Sequence, residues 1–171
     1  IFWDNCSTDN SADIAQSFDD RVMYHRTSKT TPLGEARNLA LKECVGKYIA
    51  FLDCDDLYLP EKLEKQVRLM EVTNYAMCYG CAIKINEEGQ VLKKVPVKNQ
   101  SGNLFGSLLK HYEINMQSVM LRRSILIEEQ LSFATELKYC PDHNLFMEIA
   151  SRFPVGVLQD YIIKYRLLED S

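Results

Sequence analysis

Long hydrophobic runs are what this 171-residue chain most plainly lacks: no apolar stretch approaches the roughly 20 residues that cross a bilayer, and nothing at its start resembles a signal peptide. The chain therefore reads as soluble, with a cytoplasmic location expected, free or peripheral at the inner face of a membrane. Long basic runs are missing too, and with a formal net charge of -4 the composition excludes a nucleic-acid surface as the main business of the chain. Its most basic patch, "KKVPVK" at residues 93–98, reads as a solvated strand edge. Glycine and proline number only 7 and 5, and there are no repeats, low-complexity tracts or linker-like stretches, so one domain is the economical reading. The six cysteines show no framework spacing, which points to a reduced compartment, and the lone CxxC at Cys78 and Cys81 fits core packing better than zinc or redox chemistry. His25 and His143 lack ligand spacing.

What is present is a chain 46% hydrophobic, enough to bury a core. It opens without Met on "IFWDN", which reads as the end of a buried strand. The expected domain, 1–171, is thus N-terminally incomplete, with a preceding strand and helix outside it. Ser7, Thr8 and Asp9 are capping types that lead into a helix, and "VMYHR" at 22–26 is a short strand. "GEARNLALKECVGKY" spaces Ala36, Leu39, Ala40 and Cys44 at a helical period, with Gly46 placed to end the helix. "YIAFLD" is a buried strand, expected to run parallel to its neighbours. Pro60 then opens a helix with Leu63, Val67 and Met70 on one face and Glu61–Lys65 as an exposed pair. Strand and helix alternate through the first 73 residues, the pattern of a parallel sheet covered on both faces, where ligands bind at the carboxyl ends of strands.

The second half changes style. A hairpin over "YAMCYGCAIKI" and "QVLKKV" turns at residues 86–89; "NLFGSLLKH" is a short helix and "INMQSVMLRR" a strand. "DHNLFMEIASRF" puts Leu145, Phe146, Ile149, Ala150 and Phe153 on one helical face with Asp142 at the N-cap, and "VGVLQDYIIKYRLL" closes as strand. The whole predicts an α/β fold, a mixed, mostly parallel sheet flanked by helices.

Chemistry concentrates where strands run out. Asp53, Asp55 and Asp56 stand within four residues, and like charges at the margin of a core are unfavourable unless something positive compensates them. Asp53-x-Asp55 can hold a hard divalent cation that bridges the phosphates of a nucleotide diphosphate. As plain turn residues the three acids are each explained, but not together. Asp4, ending another strand, can accept a hydrogen bond from the imide N–H of a uracil-like base, or be an ordinary turn acid before Asn5. Arg37, one residue off the apolar stripe of its helix, can neutralise phosphate or pair with an acid. Asp142 can satisfy helix N–H groups, and the same place suits a carboxylate that takes a proton from an alcohol.

Taken together, "WDNCSTDNS", "PLGEARNLALKECVGKYIAFLDCDDLYLPEKLEKQ" and "CPDHNLFMEIASRFPVGVLQDYIIKYRLLEDS" resemble the inverting glycosyltransferases of family two, which have the GT-A fold. The resemblance covers nearly the whole chain. It implies a donor half over 1–75 and an acceptor and base half over 76–171, with Asp4 at the nucleotide base, Arg37 near the donor and Asp53 on its ribose or metal side. It also implies that Asp55 holds Mn2+ or Mg2+ and that Asp142 is the general base that activates a saccharide or lipid-linked acceptor toward a nucleotide-sugar, of UDP type in expectation. Pro141 stands where the family has Glu, Leu41 where it has Gly, and the family's first strand is missing. Acceptor choice is expected to rest on residues 115–118 and 133–140, where spacing offers no code. Two alternatives remain: an inactive nucleotide-binding module of the same fold, and a phosphatase of haloacid-dehalogenase type with Asp53 as nucleophile, although here Asp56 and Leu57 follow the acids and two strand–helix units precede them.

Overall fold

The computed structural model describes residues 1–137 and 139–168. Lys138, inside the 133–140 stretch, and Glu169, Asp170 and Ser171, which end the closing stretch, lie outside the described residues. In chain order the elements are β1 (Phe2–Asp4), α1 (Ser11–Gln16), β2 (Tyr24–Arg26), α2 (Leu33–Glu43), β3 (Tyr48–Ala50), β4 (Leu57–Tyr58), α3 (Lys62–Glu71), β5 (Met77–Ile85) and β6 (Val91–Val95). There follow α4 (Phe105–Lys110), a 3-10 turn (Met116–Ser118), β7 (Met120–Arg122), α5 (Arg123–Glu128), α6 (Pro141–Arg152) and β8 (Val155–Arg166). The chain divides into two compact units, 1–45 with 131–145 and 46–130 with 146–171.

In the first unit β1 and β2 pair in parallel, Phe2 opposite Tyr24, Trp3 opposite His25 and Asp4 opposite Arg26. Aromatic rings sit directly across this ladder, with centroids 6.1 Å apart for Phe2 and Tyr24 and 5.8 Å for Trp3 and His25, the cross-strand contact that stabilises short strands. α2 stops at Glu43 because Cys44 is already extended (φ -73°, ψ 126°), two residues before the expected glycine stop. Gly34 on α2 has a steric reason: a Cβ there would lie 2.6 Å from the Ala134 carbonyl oxygen, so only glycine lets that backbone approach the helix.

The second unit is built around β5, which pairs with β6, β7 and β8; the strand order is β3-β7-β5-β8-β4 with β6 branching from β5. The long β5–β8 ladder is parallel, from Met77 opposite Val155 to Ile85 opposite Arg166. β3 runs antiparallel to β7, with Ile49 opposite Leu121, where a parallel neighbour was expected. Its uniform apolarity reports burial, which does not fix strand direction. The expected strand over 114–123 divides into the 3-10 turn and β7, because the Asn115 side chain accepts the Gln117 N–H and caps the turn; the six residues of α5 are too few for a period to declare itself.

Helix α3 opens at Lys62, not Pro60, and buries Lys62, Gln66 and Met70, while Leu63 stays 47% exposed. The buried stripe is therefore rotated from the expected 63/67/70 face. Two polar residues can sit inside because each is satisfied: the Lys62 ammonium lies 4.1 Å from the Tyr58 ring centroid and donates to Gln66 Oε1 at 2.6 Å, and Gln66 Nε2 donates to the Ser118 carbonyl at 2.8 Å. Met70, Cys78 and Met120 form a core cluster with Tyr48, Val67 and Tyr75 packed against it. Cys78 and Cys81 are buried free thiols of β5, in keeping with core packing.

Candidate active site

Asp4 ends β1 and is only 2% exposed. Its Oδ1 accepts the Ser7 N–H at 2.6 Å and its Oδ2 accepts the Tyr24 hydroxyl at 2.6 Å, with the Arg26 guanidinium 3.7 Å away. The Tyr24 hydroxyl first, then the Ser7 N–H, hold this carboxyl below the usual carboxylate range against the opposing effect of burial. The expected base-reading acceptor thus has both oxygens engaged by the chain's own donors. Asn5 beside it accepts the Thr31 N–H at 3.0 Å and donates to the Thr31 carbonyl at 2.8 Å, fixing the 27–31 loop against the same turn.

Arg37 and Asp142 do meet. Arg37 Nη1 lies 3.9 Å from Asp142 Oδ1, with the two side chains 13% and 22% exposed, and the guanidinium stands 5.7 Å from the centroid of the Phe133 ring. Three features of α2 produce this. Gly34 admits the backbone at Ala134, Asn38 donates to the Phe133 carbonyl and accepts its N–H, both at 2.8 Å, and Arg37 lies between the two. The amide of Asn38 so replaces a strand partner for Phe133, a role that no local periodicity announces. α6 begins at Pro141, whose ring suits the first helical position, so Asp142 stands in the first turn rather than at the N-cap. A carboxylate there is favoured by the helix dipole, and this one is partly open to solvent, as acceptance of an alcohol proton requires.

In the second unit β3 ends at Ala50 and the chain turns through residues 51–56. Asp53 and Asp55 are exposed, whereas Asp56 is 5% exposed and points inward. The Asp56 N–H donates to the Asp53 carbonyl at 3.1 Å, and its Oδ1 accepts the Arg166 N–H at 2.7 Å, which fastens the loop to the end of β8. Burial, with Asp55 and Asp53 adding to it, pushes the Asp56 carboxyl up to about 6 against the hydrogen bond from Arg166. Arg166 also donates from Nε to the Asp55 carbonyl at 2.8 Å. Asp53 is gripped twice by one side chain: its N–H donates to Gln117 Oε1 at 3.1 Å, and Gln117 Nε2 donates to Asp53 Oδ2 at 2.6 Å. Gln117 lies 64 residues away in sequence, and no signal in the chain points to it.

Among the described residues no group of three or more His, Cys, Asp or Glu side chains is placed to hold a metal ion by itself. A divalent ion at this loop would rest on Asp53 and Asp55 and take its remaining ligands from water and phosphate oxygens, the usual arrangement for Mg2+ on nucleotides. Two exposed carboxylates beyond a strand end, one of them oriented, suit that chemistry.

Comparison with known proteins shows the family and the fold. A Rickettsia felis protein named as an uncharacterized glycosyltransferase is 34% identical over 166 residues, 96% of this chain and 27% of that protein. The Escherichia coli UDP-Glc:alpha-D-GlcNAc-diphosphoundecaprenol beta-1,3-glucosyltransferase WfgD is 30% identical over 171 residues, 98% of this chain and 65% of that protein. The crystal structure of Staphylococcus aureus TarS 1–349 in complex with UDP-GlcNAc superposes with a TM-score of 0.76 at 20% identity, covering 98% of this chain and 49% of that chain. The chain thus spans about a quarter of the rickettsial relative and about half of that TarS chain. The TarS likeness shows the expected GT-A fold. The model of Glycosyl transferase family 2 matches residues 1–128, a stretch that holds Asp4, Arg37, Asp53 and Asp55 and stops short of Asp142. That match displaces the phosphatase reading of the strand-end acids, and the chain belongs to glycosyl transferase family 2.

Proposed function

We propose that this chain carries out inverting transfer of a hexose from a nucleoside diphosphate sugar, of UDP type, to a hydroxyl of a saccharide or lipid-linked saccharide. The observation that carries the reading is the Arg37–Asp142 pair: a partly open carboxylate in the first turn of α6, 3.9 Å from a guanidinium that itself lies on Phe133. The UDP-GlcNAc complex of TarS and the UDP-Glc and diphosphoundecaprenol in the name of WfgD support the donor and acceptor classes.

Asp142 takes the proton of the acceptor hydroxyl, and that oxygen attacks the anomeric carbon on the face opposite the diphosphate. The new C–O bond forms as the bond to the diphosphate breaks, configuration inverts, and the proton stays on Asp142. Arg37 holds the base in position. Mn2+ or Mg2+ on Asp53 and Asp55 would offset the charge that grows on the leaving diphosphate. Asp56, tied to Arg166, fixes the backbone that carries those two acids, and Asp4 shapes the turn between β1 and α1. No helix among the described residues is long and apolar enough to cross a membrane.

Calorimetric titration of uridine diphosphate into the parent chain and Asp55→Ala, with and without Mn2+, tests the donor assignment. Binding that needs Mn2+ and is lost in the variant is expected. Equal, metal-independent binding by both proteins would sink it, and metal-dependent binding without sugar transfer to any acceptor would favour an inactive nucleotide-binding module.

A further inference from the structure

We infer that Gln117 is the positioning residue of the acidic loop, setting the backbone and the carboxylate of Asp53 for a divalent cation; the inference rests on the metal assignment proposed above. Residues 115–118 were expected to govern acceptor choice; the side chain of Gln117 contacts Asp53. It is 3% exposed, and its carboxamide reads Asp53 from both sides, accepting the backbone N–H and donating to Oδ2. A primary amide can do both, since it offers an acceptor and two donors on one plane.

The side chain is itself held at several points. Asn115 Oδ1 accepts the Gln117 N–H at 2.9 Å, and the Ser118 hydroxyl donates to the Asn115 carbonyl at 2.7 Å, so the short turn is closed by its own side chains. The Ser118 carbonyl takes the buried Gln66 amide, whose oxygen takes the Lys62 ammonium. The Lys62 ammonium lies over the Tyr58 ring, and the Tyr58 hydroxyl donates to the Phe51 carbonyl, two residues before Asp53. The loop is therefore gripped at Phe51 and at Asp53 by one connected set of buried polar groups, all within the second unit. Isolated polar groups so deeply buried are unfavourable, and this set is accounted for by what it orients. Loss of such an outer partner of a metal ligand typically costs about 10–100-fold in metal affinity or activity.

The test uses the whole chain and Mn2+ alone. Gln117→Met keeps the volume and removes both hydrogen bonds. Electron paramagnetic resonance titration of free Mn2+ should show about a tenfold or greater loss of affinity. Hydrogen exchange at the Asp53 amide should accelerate. A merely structural glutamine would lower the melting temperature and leave Mn2+ affinity per folded molecule unchanged, which would overturn the inference. Should Gln117→Met fail to fold, Asn115→Ala loosens the same turn from outside the buried contact; a loss of Mn2+ affinity supports the inference and unchanged affinity overturns it. A parent chain that binds no Mn2+ removes the metal assignment and this inference with it, whereas a parent that binds Mn2+ equally with Gln117→Met removes this inference alone.

Discussion

At the end of β1, Asp4 meets a hydroxyl, a backbone N–H and a guanidinium and is closed to solvent; beyond β3, Asp53 and Asp55 stay exposed while Asp56 is buried with one backbone donor on Oδ1. Both places are acidic turns after short strands. The first unit supplies donors enough to make its acid part of the fold, and the carboxyl is held low. The second carries three acids within four residues, two of them exposed, and the inward acid is pushed up to about 6 by burial and its neighbours. Donor supply, then, separates an acid that builds a turn from the exposed acids proposed to hold a cation, and the Asp56 and Asp4 variants below test that distinction.

The largest effect is expected at Asp142. Asp142→Asn should lower kcat for sugar transfer by about 10²–10⁴, the usual span for removal of a general base, with uridine diphosphate affinity within about twofold of the parent. Steady-state kinetics beside calorimetry check it, and an equal loss of binding would mean that Asp142 serves the donor instead of the acceptor. Next is Gly34→Ala. The added Cβ would meet a backbone oxygen at 2.6 Å, a neighbour that cannot swing aside. Urea unfolding should show a loss of about 1–3 kcal/mol, the range for overpacking.

Gly34 also shows where reading the sequence stopped. Local features were legible: the β5–β6 hairpin, α2, α6 and β8 follow from periodicity, and the order of acids, arginine and helix pointed to the family. What could not be read were couplings between distant positions. Asn38 with Phe133, Gln117 with Asp53 and Arg166 with Asp56 are each more than 60 residues apart, and one amide or carboxylate does the joining in every case. The inward face of α3 was misplaced for a related reason. Lys62 and Gln66 count as polar in any periodic pattern, and only the Tyr58 ring and the Ser118 carbonyl, brought by other elements, make them core residues. Asp4 was placed correctly at a strand end, yet its closure depends on Tyr24, supplied by the parallel partner strand.

Two smaller effects bear on the pair of turns directly. For Asp56 the folded state holds its proton more tightly than the unfolded chain, so in chelator the charge weakens the fold as pH rises from about 4 through 6. Asp56→Asn, whose carbonyl can still accept the Arg166 N–H, should raise stability at pH 7 by on the order of 2 kcal/mol and give no gain below about pH 4. For Asp4 the sign reverses: its carboxyl is held below the unfolded value, so its stabilisation is present above about pH 4 and is lost as pH falls through the folded value. Asp4→Asn should lose about 1 kcal/mol at neutral pH, since the charge-assisted bonds from the Tyr24 hydroxyl and the Ser7 N–H become neutral ones, and the difference should close on acidification. Urea midpoints across pH 3 to 8 for the three proteins therefore diverge in opposite directions from a common acid limit. Were both variants to shift stability the same way, the two turns would be physically alike, and the exposed acids would need no ligand to explain them.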